Sequence, residues 1–387
     1  MVRHKIIYFF LILAGVAAIL IAGTVSIVNV SATEDDDLVV LGRAIFFDTN
    51  LSKPVGQSCA SCHDPAAGYA HPNVNLPTSQ GAIQSRYGNR NANSVTYAMF
   101  SPELYFDPVP SPGVMEGQYK GGLFWDSRAD TLEEQAKGPF LNPLEMHNPN
   151  KQIVVLAVRQ SNYADLFKSV FGATAFNDVE TAYDNIASAL AAFMRSPEVN
   201  PFTSKYDYWK AGQAQLTEDE YQGYLLFTTN VAKCKNCHPE PYFTNFGHQN
   251  LGVPRNPDLP YYFLNPNLNP EGENWVDLGL GAFLRTIGVP EMEAAMQDGK
   301  MKIPSLRNVA ITPPYEHNGY FQTLREVVMF NNTRDVPGAG WPAPEVSQNV
   351  HRHMPPMPGT FGQLGLTDLQ VDQIVAFLQT LTDGYQP

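Results

Sequence analysis

The chain is short of cysteine: four occur in 387 residues, and all four sit in two brief units, "CASCH" from Cys59 to His63 and "CKNCH" from Cys234 to His238. None is left over for a separate disulfide framework, so the units point to cofactor attachment rather than stapling. Basic residues are also few, 25 Lys and Arg against 38 Asp and Glu, for a formal net charge of -13. A nucleic-acid surface needs clustered cations, and this balance argues against nucleic acid or another polyanion as a partner. Period-two alternation is scarce as well, which leaves little from which to build a large sheet. What is abundant is core-forming material, 44% hydrophobic with 11% aromatic, in a chain long enough for two domains.

Residues 1–32 read as an export segment. Arg3 and Lys5 precede an apolar run from Ile6 to about Val28, and an acidic patch follows. The small residues Val30 and Ala32 before Thr33 suit cleavage of a signal peptide; the length of the run also suits a retained membrane anchor that starts in the cytoplasm. Either way the body of the chain is placed outside the cytoplasm, in a periplasmic or other extracytoplasmic location, membrane-attached in the second case.

Two thiols three residues apart, with a histidine directly after the second, meet the geometry of covalent haem c. The thiols form thioethers with the two vinyl groups, and the histidine reaches the iron from one face. A zinc site would draw the two pairs together as four sulfurs, and a dithiol redox pair has no need of the histidine twice. The reading is therefore two haems, with Cys59, Cys62, Cys234 and Cys237 as attachment points and His63 and His238 as proximal iron ligands.

The two units lie about one domain's length apart, which predicts a mainly α protein of two cytochrome c-like helical domains with long loops, one haem in each. The expected domains are 33–210 and 211–387, with a weak internal duplication. "DVETAYDNIASALAAFMRS" places Val179, Ala182, Tyr183, Ile186, Ala189, Leu190 and Phe193 on one helical face. Thr217 with Glu220, and Thr367 with Gln370, form capping boxes that open further helices; the last carries Val371, Ile374, Val375, Leu378 and Leu381. Between helices, Pro- and Gly-rich stretches such as "DPVPSPGVMEGQYKGG" and "NPDLPYYFLNPNLNPEGEN" favour loops.

From Leu38 onward the sequence resembles the bacterial di-haem cytochrome c peroxidases, a family that includes MauG-type enzymes. The resemblance is carried by "LGRAIFFDTNLS", "CASCHDP", "GNRNANS", "GLFWDSRADTLEEQAKGP", "PLEM", "CKNCH", "KIPSLRNVAITPPYEHNGYF", "TLREVV" and "LTDLQVDQIVAFLQTLTDG". It implies that His63 holds a peroxidatic haem and His238 an electron-transfer haem. Glu145 then falls at the distal acid/base position and Gln135 at a distal-pocket glutamine. Trp125 falls at the tryptophan that relays electrons between the haems. Asn91, Thr312 and Pro314 match a calcium site between the domains, where a side-chain oxygen and backbone carbonyls suit a hard cation.

Two departures stand out. Where relatives carry a distal histidine, "PTSQGAIQSRYGNRN" has Ala82 or Ile83; His71, only eight residues past His63, reads as a loop residue. An open sixth position on the first haem follows. Where relatives place methionine or tyrosine as sixth ligand of the second haem, "TLREVVMFNNTRD" offers Asn331, a poor soft donor. Met329 lies at another helical angle, and Met354, Met357, His351 and His353 lie on a proline-rich loop, so the donor stays open.

Three functions are carried forward. The first is a peroxidase reducing hydrogen peroxide with electrons from a small cytochrome or cupredoxin. The second is a MauG-type enzyme that takes the electrons from Trp or Tyr of a partner protein. The third is a non-catalytic di-haem carrier. A homodimer is left open.

Overall fold

The computed structural model describes residues 33–110, 117–352 and 357–387. The export segment, and with it the choice between signal peptide and anchor, lies outside the described residues, as do His353 and Met354. Among the described residues no helix is long and apolar enough to cross a membrane.

The chain is mainly helical. The first half holds α1 (Thr33–Phe46), α2 (Leu132–Leu141), α3 (Lys151–Arg159), α4 (Ala164–Phe171) and α5 (Val179–Arg195). The second holds α6 (Lys205–Lys210), α7 (Glu218–Thr228), α8 (Leu280–Thr286), α9 (Glu291–Ala295), α10 (Leu324–Thr333) and α11 (Asp368–Gln379). Both expected capping boxes are present, at Thr217 with Glu220 and Thr367 with Gln370, each supplying the unpaired first-turn amides with side-chain acceptors. Thr323 with Glu326 makes a third on α10.

The first core joins Leu41, Ile45 and Phe46 of α1 to Ile186, Leu190 and Phe193 of α5, with Phe140, Val154, Val158 and Phe167 from α2, α3 and α4. Burying each such side chain contributes about 1.5–3 kcal/mol, which is why α5 needs no special propensity. Its buried face is wider than the periodicity indicates: Ala187, Ala191 and Met194 are also buried, because neighbours cover the helix on more than one side. The second core joins Phe227 of α7, Leu324 and Val328 of α10, and Val371, Ile374, Phe377 and Leu378 of α11, with Tyr206 of α6 and Phe243. On α11 the stripe turns towards Phe377, leaving Val375 only partly buried.

Strands are vestigial. β1 (Tyr105–Asp107) pairs antiparallel with β2 (Gln118–Lys120), and β3 (His248–Gln249) with β4 (Met301–Lys302). They matter by position: the amide of Lys302 donates to the Trp125 carbonyl (2.8 Å) and that of Gly121 to Phe246 (2.8 Å), stitching the first half to the second. Arg90 adds an ionic stitch, to Asp126 (2.6 Å) in its own half and to Asp277 (2.6 Å) in the other.

Candidate active site

Each Cys-x-x-Cys-His unit opens as one short 3-10 turn, Cys59–Ser61 and Cys234–Asn236. Both histidines are then fixed by the chain that follows. His63 Nδ1 bonds the Tyr69 carbonyl (3.2 Å) and His238 Nδ1 the Phe243 carbonyl (2.8 Å). A carbonyl only accepts, so Nδ1 carries the proton and Nε2 is left as the bare donor. Burial lowers both imidazoles, His238 to about 4, which keeps that donor unprotonated at neutral pH.

The two units line different cavities, so four sulfurs cannot converge on zinc; among the described residues no group of three or more His, Cys, Asp or Glu is placed to hold a metal. Burial pushes the Cys59 and Cys62 thiols up to about 12. Reactive dithiols have thiols shifted down towards ionisation, and these are shifted the other way. Paired thiols beside an imidazole nitrogen in a cavity fit haem c in both places, where His63 and His238 would be the iron donors.

The first cavity is walled by one face of α2, with Leu132, Gln135 and Pro139 turned into it, and by Glu145 from the turn that follows. Asn142, the C-cap residue of α2, donates its amide to Glu145 Oε1 (2.6 Å). The Glu145 carbonyl accepts from the Ala82 amide (2.8 Å), so the 79–88 loop folds against the acid. Gly81 allows this, since a Cβ there would lie 2.2 Å from the Leu144 carbonyl oxygen. Burial raises the Glu145 carboxyl above its ordinary range, against the opposing pull of Arg128 and the Asn142 hydrogen bond.

His71 is buried but stands away from this cavity, with Nδ1 on Ser79 Oγ (2.7 Å) and Nε2 on the Leu76 carbonyl (3.0 Å). Both ring nitrogens are engaged, in keeping with a structural loop residue.

Trp125 lines both cavities. Its indole N–H donates to the Asn91 carbonyl (2.9 Å) and its ring meets His317 edge-on at 6.3 Å. Asn91 is a hub: its amide side chain donates to Pro77 (3.0 Å) and its backbone N–H to the His317 carbonyl (2.7 Å). Asn91, Thr312 and Pro314 all line the second cavity, and Thr312 Oγ1 is spent on the Val309 carbonyl (3.1 Å).

Sequence reading passed over three cations here. Arg90 and Arg128 stand inside quoted motifs, Arg90 between Asn89 and Asn91 and Arg128 between Ser127 and Ala129, with no local pattern that marks either as a cavity residue. Lys302 lines both cavities and lies 5.2 Å from the Phe246 ring centroid; burial lowers its ammonium to about 8.

The sequence model of the di-haem cytochrome c peroxidases matches residues 36–215. Methylamine utilization protein MauG of Paracoccus denitrificans is 38% identical over 376 residues, covering 91% of this chain and 90% of that one. Cytochrome c551 peroxidase of Nitrosomonas europaea is 29% identical over 359 residues, with 92% and 82% covered. Among solved structures, the diheme peroxidase BthA of Burkholderia thailandensis superposes with a TM-score of 0.77 at 34% identity, covering 90% of this chain and 86% of that chain. The likeness spans both cavities, and the chain belongs to the di-haem cytochrome c peroxidase family.

Proposed function

We propose that the chain is a peroxidase in which Glu145 performs the acid/base step on hydrogen peroxide in the first cavity and Trp125 relays electrons from the second. The carrying observation is a half-buried, cavity-lining carboxyl with a raised pKa in the same cavity as His63. A haem held there supplies the redox chemistry. Glu145 accepts the proton of one peroxide oxygen and returns it to the departing oxygen, and Gln135, in the same lining, orients the peroxide beside it. Two electrons and two protons then convert one peroxide into two waters. A simple carrier has no task for such a carboxyl.

The reading includes domains 33–210 and 211–387, an open sixth position on the first haem, an extracytoplasmic location, and calcium at Asn91, Thr312 and Pro314. The electrons come from a small cytochrome or cupredoxin. A second reading keeps the chemistry and draws them from Trp or Tyr of a docked protein; it is favoured by the 38% identity with MauG. Steady-state peroxide turnover tests the core claim. Glu145→Gln should slow it by about 10²–10⁴-fold while both haems stay attached, and full turnover in that variant would refute the assignment.

A further inference from the structure

Helix α10 turns one face to the second cavity, with Leu324, Val327, Val328 and Asn331 in its lining. These positions follow helical spacing, so they form a single stripe. Three are apolar and give iron no donor. The fourth ends in an amide whose Oδ1 is buried without a hydrogen-bond partner. Leaving such an oxygen unpaired costs about 1–3 kcal/mol, and a buried orphan of this kind points to a partner that is not polypeptide.

Of the described alternatives, Met329, Tyr315 and Met357 are engaged or turned away. Met329 packs against the second core. Tyr315 donates its hydroxyl to the Val309 carbonyl (3.0 Å). His317 has Glu345 3.6 Å from its Nε2 and the Trp125 ring edge-on beside it, while its Nδ1 is buried in the same lining without a partner, so it is the one described side chain that competes with a small ligand there. Met357 is 46% exposed.

We propose that no side chain among the described residues binds the second iron opposite His238, and that Asn331 instead hydrogen-bonds an exchangeable small ligand there. That ligand is water in the ferric protein, donating to Oδ1; in the ferrous protein a diatomic π-acceptor such as carbon monoxide, which has no proton to donate, displaces the water and takes the iron position without that hydrogen bond. An amide oxygen is too hard to compete as a haem ligand but accepts and orients well. A ligand that prefers the ferrous state shifts the second haem towards it and throttles electron supply to the first cavity. The proposal rests on the two-haem reading, not on the source of electrons.

The test is carbon monoxide titration of the dithionite-reduced holoprotein, with haem content fixed beforehand by pyridine haemochrome. The expected result is two carbon monoxide per chain in the wild type and one in Asn331→Met, whose thioether fills the site. One per chain in both proteins overturns the proposal, since Met301, Glu316 or another side chain then already holds the iron. Two in both removes Asn331 from the ligand position and overturns it as well. One in the wild type and none in Asn331→Met upholds the second site and sinks the open first haem. The wild-type count needs no variant to fold.

Discussion

A Cβ on Gly42 would lie 1.9 Å from the carbonyl oxygen of Ala189, so α1 crosses α5 at a separation only glycine permits. The crossing recurs in the second half, where a Cβ on Gly223 of α7 would lie 1.9 Å from the Gln373 carbonyl oxygen of α11. Phe193 and Phe377 flank the two contacts alike, each Cβ 2.9 Å from the added atom. Each half is thus closed by an equivalent pair of crossing helices, and Cys59 and Cys234 pack against the cores these pairs build.

Gly223→Ala should therefore force α7 off α11 and loosen the second core. Neither helix backbone can yield locally, so the loss should reach or exceed the ordinary overpacking range of about 1–3 kcal/mol. Guanidinium unfolding of the holoprotein would register it as a lower midpoint. An unchanged midpoint would mean that the helices do not approach so closely.

Much of this was legible because it is local. Periodicity gives α5 and α11, side-chain caps give the starts of α7 and α11, and the haem units declare their own chemistry. The short strands were not legible: two or three residues carry no pattern, and Lys302 acquires its place between the cavities only because β4 pairs with β3. The orphaned Oδ1 of Asn331 was equally hidden, since an amide at a helix end reads the same whether solvated or sealed. Glu145 and Gln135 reached the first cavity only through family resemblance, because isolated polar residues say nothing of burial.

Glu145 should show opposite signs in stability and activity. Its folded-state pKa is raised from an ordinary 4.5, so the folded protein holds this proton more tightly than the unfolded chain does. That contribution is full below about 4.5 and is lost as pH rises through the folded value. At neutral pH the cavity-lining carboxylate is a net burden, and Glu145→Gln should unfold at higher temperature than wild type, the gap closing as pH falls to about 4. Peroxide turnover in the wild type should drop on acidification at a pH above the ordinary glutamate range. A thermal scan and a pH–rate profile on the same preparation check both.

Trp125→Phe keeps a ring of related shape but deletes the N–H that holds the Asn91 carbonyl. Both haems should remain attached and peroxide should still react in the first cavity. Electron transfer between the cavities should slow by at least about tenfold, which corresponds to about 1.4 kcal/mol in the barrier. Rapid-mixing absorption following oxidation of the second haem after peroxide addition would measure it, and an unaltered rate would remove Trp125 from the relay.

Lys302 brings a positive charge to the wall shared by both cavities. A haem is one unit less positive when reduced, so a nearby cation favours the reduced form and raises the potential. Lys302→Met should lower both haem potentials, by up to about 59 mV for a tenfold change in a one-electron equilibrium. Burial alone sets the ammonium at about 8, so wild-type potentials should fall as pH rises through that value, a slope absent from the variant. A haem carboxylate paired with Lys302 would carry the slope to higher pH. Spectroelectrochemical titrations of both proteins between pH 7 and about 10 would locate it, and with it the counter-ion of this lysine.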